Sequence, residues 1–97
     1  MFDNLKNMYA LQKQAKEIKK ELRNTHIEAE EGSVVVVING EQEIISVTIK
    51  PEFANDLKKV EKDLTIALNK AIKKSQQIAA EKMKGIMGEM GMGLPQS

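Results

Sequence analysis

Gly32–Lys50, GSVVVVINGEQEIISVTIK, holds the densest run of β-branched residues in the chain. Such side chains favour extended backbone, and a basic, helix-like segment lies on each side of the run. The stretch reads as a hub on which two long helices are mounted. Function is then expected on the helix faces that the hub leaves uncovered.

Extended one strand upstream, His26 to Lys50 predicts a three-stranded antiparallel meander. Glu31-Gly32 is the expected first turn, because glycine takes the positive φ that two-residue turns demand. Asn39-Gly40 opens the second turn, which runs on through Gln42. With these turns Ile27, Ala29, Val34, Val36, Ile38, Ile45, Val47 and Ile49 fall on one face, the one expected to pack on the helices. The opposite face carries Glu28, Glu30, Ser46 and Thr48, but also Val35, Val37 and Ile44, an apolar strip that calls for a partner subunit.

Upstream, residues 3 to 24 predict a helix. Met8, Leu11, Ala15, Ile18 and Leu22 recur at alternating spacings of three and four, a heptad seam. Lys6, Lys13, Lys16, Lys20 and Arg23 then form one cationic stripe away from the seam. Asn24 and Thr25, weak helix formers, mark its end. Downstream, Pro51 stops the sheet and Pro51–Ala54 forms a single helical turn. Asn55 or Asp56 caps a second helix running from Leu57 to Met83–Met87. Its apolar positions occupy one side, while Lys59, Lys62, Lys70, Lys73 and Lys84 gather on the other within roughly 80°, at 100° per residue. Ile66 interrupts that basic arc.

Length adds a constraint. About 28 helical residues span roughly 42 Å, whereas a seven-residue strand spans about 23 Å. The distal half of the second helix must overhang its sheet, and Ile78, Met83 and Ile86 there need another helix to pack against. Together with Val35, Val37 and Ile44 they are the candidate residues of a homodimer interface.

The chain has 97 residues, which fits one domain, expected over residues 1–88, with a flexible Gly/Met-rich tail over 89–97. It has no cysteine, hence no disulfide framework or cysteine zinc site, as suits a reducing cytoplasm. No apolar run approaches the ~20 residues of a membrane span. The start, MFDNLKNMYALQKQ, lacks the basic and apolar regions of a signal peptide. A soluble intracellular chain is expected.

The net charge is only +1, but it divides unevenly. Residues 1–23 carry +3, residues 24–52 carry −5 and residues 53–84 carry +4. A near-neutral total conceals basic helices and an acidic sheet, an asymmetry that points to an anionic partner. Catalysis has little to stand on. The one histidine, His26, shares a strand face with Glu28 and Glu30, an arrangement far more common on ordinary surfaces than in metal sites. No nucleophile–base signature or phosphate-cradling glycine loop is present. Neither an enzyme nor a bound cofactor or metal is expected.

A lysine-rich helix face is usually just a solvated face. Two such faces on the two longest elements, doubled in a dimer, suit a polyanion such as duplex DNA. There is a single arginine, Arg23, and guanine readout leans on arginine, so lysine contacts to phosphate with little sequence preference are expected. Three aromatics, Phe2, Tyr9 and Phe53, are too few to stack single-stranded bases. The alternative is a coiled-coil-like adapter that binds another protein through the heptad seam, its lysines merely solvating.

Several stretches resemble the YbaB/EbfC nucleoid-associated proteins. They are the lysine- and glutamine-rich first helix, the strand and turn Val35–Gly40, Val47–Lys50 followed by Pro51, Asp63-Leu64, Ala67–Ala71, Glu81-Lys82-Met83 and Gly93-Leu94-Pro95. Members often carry an acidic residue where this chain has Lys70. The resemblance implies an α+β fold of order α-β-β-β-α, a tweezer-shaped homodimer, and DNA binding by the long helices in the bacterial nucleoid. It implies effects on DNA organisation and gene expression.

Overall fold

The computed structural model describes the backbone of residues 2–89 and the side chains of residues 8–85. Helix α1 spans Phe2–Asn24, strands β1, β2 and β3 span His26–Glu31, Val34–Asn39 and Ile44–Ile49, and α2 spans Leu57–Glu89. A 3-10 turn, Pro51–Phe53, joins β3 to α2 as the proline predicts. The strands form an antiparallel meander in the order β1-β2-β3. The α-β-β-β-α order expected from the sequence is therefore the fold. The expected tail falls mostly at residues 90–97, outside the described residues.

The molecule is not a ball. Its radius of gyration is 18.5 Å, against about 12.5 Å for a compact chain of this length. Its extents are 65 × 30 × 13 Å. The 33 residues of α2 rise roughly 50 Å, more than twice the length of a six-residue strand.

One core holds the sheet to the first half of α2. Ile27, Ala29, Val34, Val36 and Ile38 pack against Val60, Ala67 and Ala71, with Phe53, Leu64, Leu68 and Ile78 at its margin. Ala67 and Ala71 are completely buried, and their small side chains let the helix backbone come close to the strands. Full burial of Val34, Val36 and Ile38 stabilises the fold by about 1.5–3 kcal/mol each.

The first hairpin turns one residue later than the alternation suggested. Glu31 pairs with Val34, so Gly32-Ser33 is the two-residue loop rather than Glu31-Gly32. Gly32 takes the positive φ, +51°. The register moves by two positions, and an even shift returns every side chain to its expected face. Ser33 is drawn into the turn because its backbone N–H and its Oγ both donate to Asp63 Oδ2 on α2.

Two expectations for β3 are overturned. A bulge between Val37 and Ile38 brings Ile44 opposite Ile38, so Ile44 does not line up with Val35 and Val37 on the second face. Ile45, Val47 and Ile49 share the face of the core residues they flank, yet each is 43–46% exposed. The cause is the position of α2, which lies over β1 and β2 and leaves β3 exposed along its whole length.

Helix α1 is attached at its C-terminal end. Leu22 is buried, whereas Met8 and Ala15 of the same seam are exposed and Leu11 and Ile18 are half-buried. The Leu22 carbonyl accepts from the backbone N–H groups of Thr25 and Gly40, at 3.2 and 2.7 Å, and Thr25 Oγ1 donates to the Glu21 carbonyl. These bonds satisfy carbonyls that a helix end leaves without partners. Gly40 is needed for close approach, since a Cβ there would lie 2.7 Å from Leu22 Cδ2. At the other helix, Asp56 is the cap: its Oδ1 accepts from the Lys59 N–H and its carbonyl from the Val60 N–H. No helix among the described residues is long and apolar enough to cross a membrane.

Candidate nucleic-acid interface

Both helices leave the sheet at the end marked by Asn39. Ser75 Oγ on α2 donates to the Asn39 carbonyl at 2.8 Å, and Leu22 of α1 meets Gly40 next door. Beyond this point α1 and α2 are linked by Lys82 and Glu21, 2.9 Å apart. The turn itself is braced by Asn39, whose Oδ1 accepts from the backbone N–H groups of Glu41 and Glu43 while its Nδ2 donates to Glu43. The roots of both helical arms are thus fixed to one hairpin tip.

The cations expected from the sequence divide into two classes. Three are held by acids of the chain itself: Arg23 by Glu41 at 3.2 Å, Lys59 by Asp63 at 3.3 Å and Lys70 by Glu31 at 2.6 Å. Lys59 also sits 5.3 Å above the Phe53 ring, a cation–π position. Lys13, Lys16, Lys20, Lys62, Lys73 and Lys84 are exposed and form no ion pair among the described residues. Lys6 lies in α1 outside the residues whose side chains are described.

On α2 the unpaired class has a simple geometry. Lys62, Lys73 and Lys84 recur every eleven residues, three helical turns and roughly 16 Å apart, opposite the buried stripe of Val60, Ala67 and Ala71. Ile66 lies in the same arc and is half-buried, flanked by Lys62 and Lys70 one turn away on either side. Lys19 and Lys58 are exposed cations that the stripe criterion missed. Their place off the stripes gave no periodic signal.

The acidic sheet accounts for further lysines. Lys50 pairs with Glu30, and Lys74 Nζ donates to the Glu28 carbonyl. The Lys50 ammonium, by hydrogen bond first and by charge second, holds the Glu30 carboxyl below its ordinary range. The Asp63 carboxyl is also lowered, first by the Ser33 backbone N–H, then by the Ser33 hydroxyl, with Lys59 adding less. These are structural ion pairs and hydrogen bonds. They tie up Lys50, Lys59 and Lys74, and the exposed lysines without such partners among the described residues lie on α1 and along the outer face of α2.

The expected interface residues are scattered. Val35 and Val37 are half-buried on the open face of the sheet, and Ile44 is 44% exposed at the bulge. Ile78 packs against the core margin and Met83 is 48% exposed. Ile86 lies outside the residues whose side chains are described. Ile45, Val47 and Ile49, on the face shared with the core residues, are exposed apolar side chains as well. His26, Glu28 and Glu30 are exposed, and among the described residues no group of three or more His, Cys, Asp or Glu could hold a metal ion.

Residues 1–90 match the YbaB/EbfC DNA-binding family. A nucleoid-associated protein of Chloroflexus aggregans is 38% identical over 82 residues, covering 80% of this chain and 82% of the relative. One from Koribacter versatilis is 37% identical over 97 residues, covering 95% and 94%. The crystal structure of an uncharacterized protein from Helicobacter pylori superposes with a TM-score of 0.71 at 22% identity, covering 93% of this chain and 96% of the other. That last likeness concerns the fold alone.

Proposed function

Because this chain belongs to the YbaB/EbfC DNA-binding family, we propose that it is a nucleoid-associated protein that grips duplex DNA as a homodimer. Contacts run mainly from lysine ammonium groups to phosphates, with little sequence preference, and the consequence is DNA organisation in the nucleoid with effects on gene expression. One observation carries this reading. Of the expected cations, Lys13, Lys16, Lys20, Lys62, Lys73 and Lys84 pair with no acid among the described residues, and all lie on the two long helices. A flexible point charge on a lysine binds phosphate well and reads bases poorly. The names of the relatives point the same way.

Dimerisation is supported by apolar surface that one chain leaves open, above all on β3 and along the α1 seam. A gel-shift titration on unrelated duplexes at 50 and 200 mM salt tests the binding mode. Neutralising ~6 phosphates should cost roughly 10³-fold in affinity across that range. An affinity indifferent to salt sinks the phosphate mechanism. The exposed seam at Met8 (58%) favours a second reading, an adapter that binds a protein helix. Charge reversal of Lys13, Lys16 and Lys20 separates the two: unchanged DNA retention by an intact dimer supports the adapter.

A further inference from the structure

Tyr9 is 72% exposed, more than any other large apolar side chain among the described residues. A lone apolar residue on a surface needs no explanation, but the surroundings of this one give it a context. On α1, at 100° per residue, Lys13, Lys16 and Lys20 lie within about 40° of Tyr9. All three are exposed and pair with no acid among the described residues. The seam residues Met8, Leu11, Ile18 and Leu22 lie about 100° or more away, so whatever covers the seam leaves Tyr9 open. The ring thus stands in line with the cationic stripe of α1.

Tyr9, Gln12, Lys13 and Lys16 line one shallow cleft of about 100 Å³. Pockets that enclose a small molecule run to ~300–1,000 Å³. A cleft this small takes one group of a larger partner. Two ammonium groups, an amide and a phenol line it, and all four can donate hydrogen bonds. The group that suits them is an anion of the size of a phosphate, too small to be a nucleobase.

The geometry points to Tyr9 as the contact by which the α1 stripe distinguishes a nucleic-acid backbone from other polyanions. The inference rests on the DNA-binding reading above and names a residue outside its set of cations. The Tyr9 ring lies against a deoxyribose, and its hydroxyl donates to the adjoining phosphate, whose charge Lys13 and Lys16 neutralise. Lysines alone attract any polyanion, through charge that salt screens. A ring packed on a sugar carries no charge, keeps its strength as salt rises, and requires that a sugar be present. No base edge is read, so sequence preference stays low.

Tyr9 is the one tyrosine of the chain, and there is no tryptophan. Protein labelled with 3-fluorotyrosine therefore gives a fluorine resonance that reports on Tyr9 alone. It is titrated with a mixed-sequence duplex and, separately, with inorganic polyphosphate. The expected result is a clear shift with duplex and little with polyphosphate. Gel shifts at 50 and 200 mM salt accompany it. Tyr9→Ala should bind about tenfold more weakly at both, the scale of one hydrogen bond to a charged group, with the salt slope of the wild type. Alanine favours helix, and circular dichroism checks that α1 is kept. Tyr9→Phe, which retains the ring, should lose less, whereas Lys13→Ala should flatten the slope.

Wild-type binding with an unmoved resonance, or a Tyr9→Ala variant that binds as tightly as the wild type, overturns the Tyr9 contact and leaves DNA binding standing. Equal shifts with duplex and polyphosphate overturn the discrimination between them. A Tyr9→Ala defect that appears only at one salt concentration assigns the loss to displaced cations and overturns the ring contact. A wild type that binds no duplex overturns both readings.

Discussion

Ser33 gives two hydrogen bonds to one carboxylate oxygen of Asp63, from its backbone N–H at 2.8 Å and from its Oγ at 2.7 Å. Both residues are buried, and thirty positions of sequence separate them. The pair locks the tip of the first hairpin to the second turn of α2. It also explains Gly32, because a Cβ there would lie 2.8 Å from Asp63 Cγ.

The lowered Asp63 pKa makes this lock sensitive to acid. A carboxyl depressed on folding stabilises the native state above its unfolded pKa, about 3.9, and loses that contribution as pH falls through the folded value. Asp63→Asn keeps the shape and removes the titration. Urea midpoints at pH 7, 4 and 3 should fall more steeply for the wild type than for Asp63→Asn, and parallel profiles would refute the assignment.

Gly40→Ala should loosen α1 selectively. The added methyl meets Leu22 at under 3 Å from both its side chain and its carbonyl oxygen, and steric insertion of this kind costs about 1–3 kcal/mol. Amide exchange should accelerate in residues 18–25 while β2 stays protected. Equal acceleration throughout the sheet would mean that Gly40 supports the whole fold and not the arm.

Ala71→Leu probes how closely α2 approaches the sheet. The site is completely buried among strand residues, so overpacking should cost about 1–3 kcal/mol. For a domain of this size each kcal/mol lowers Tm by roughly 4–8 °C. Ala80→Leu, at an exposed position of the same helix, should leave Tm nearly unchanged, and calorimetry distinguishes the two.

Paired and unpaired lysines should differ in DNA binding. Removing one phosphate-neutralising cation lowers the slope of log affinity against log salt by ~0.9, and Lys73→Ala is expected to show that drop. Lys70→Ala should change the slope less, because its ammonium is held 2.6 Å from Glu31. Salt titrations that rank the two variants the other way would locate the binding surface near β1.

Element order and type were legible because period and punctuation agree. The heptad seam, the valine run, Pro51 and Asp56 each mark an element or a boundary by a local rule. The errors came from interactions distant in sequence. Ser33 joins the turn because Asp63 is waiting for it, and nothing near Ser33 announces that partner. Ile45, Val47 and Ile49 carry a core pattern, yet alternation fixes only the face and not whether a helix lies over it. The cationic stripes were readable from spacing, whereas the capture of Arg23, Lys59 and Lys70 in intramolecular pairs depends on which acids the fold brings near.

Ser75 is the last fully buried residue on α2 among the described residues, and its hydrogen bond to Asn39 pins the helix where the sheet ends. Glu89 lies fourteen positions further along, a rise of about 21 Å. The helix is therefore a lever with Ser75 as its fulcrum. A tilt of about 10° there carries the far end through roughly 4 Å at that length, while the sheet need not move. A change of angle at this one hydrogen bond would thus be multiplied along the arm, at a point far from its load.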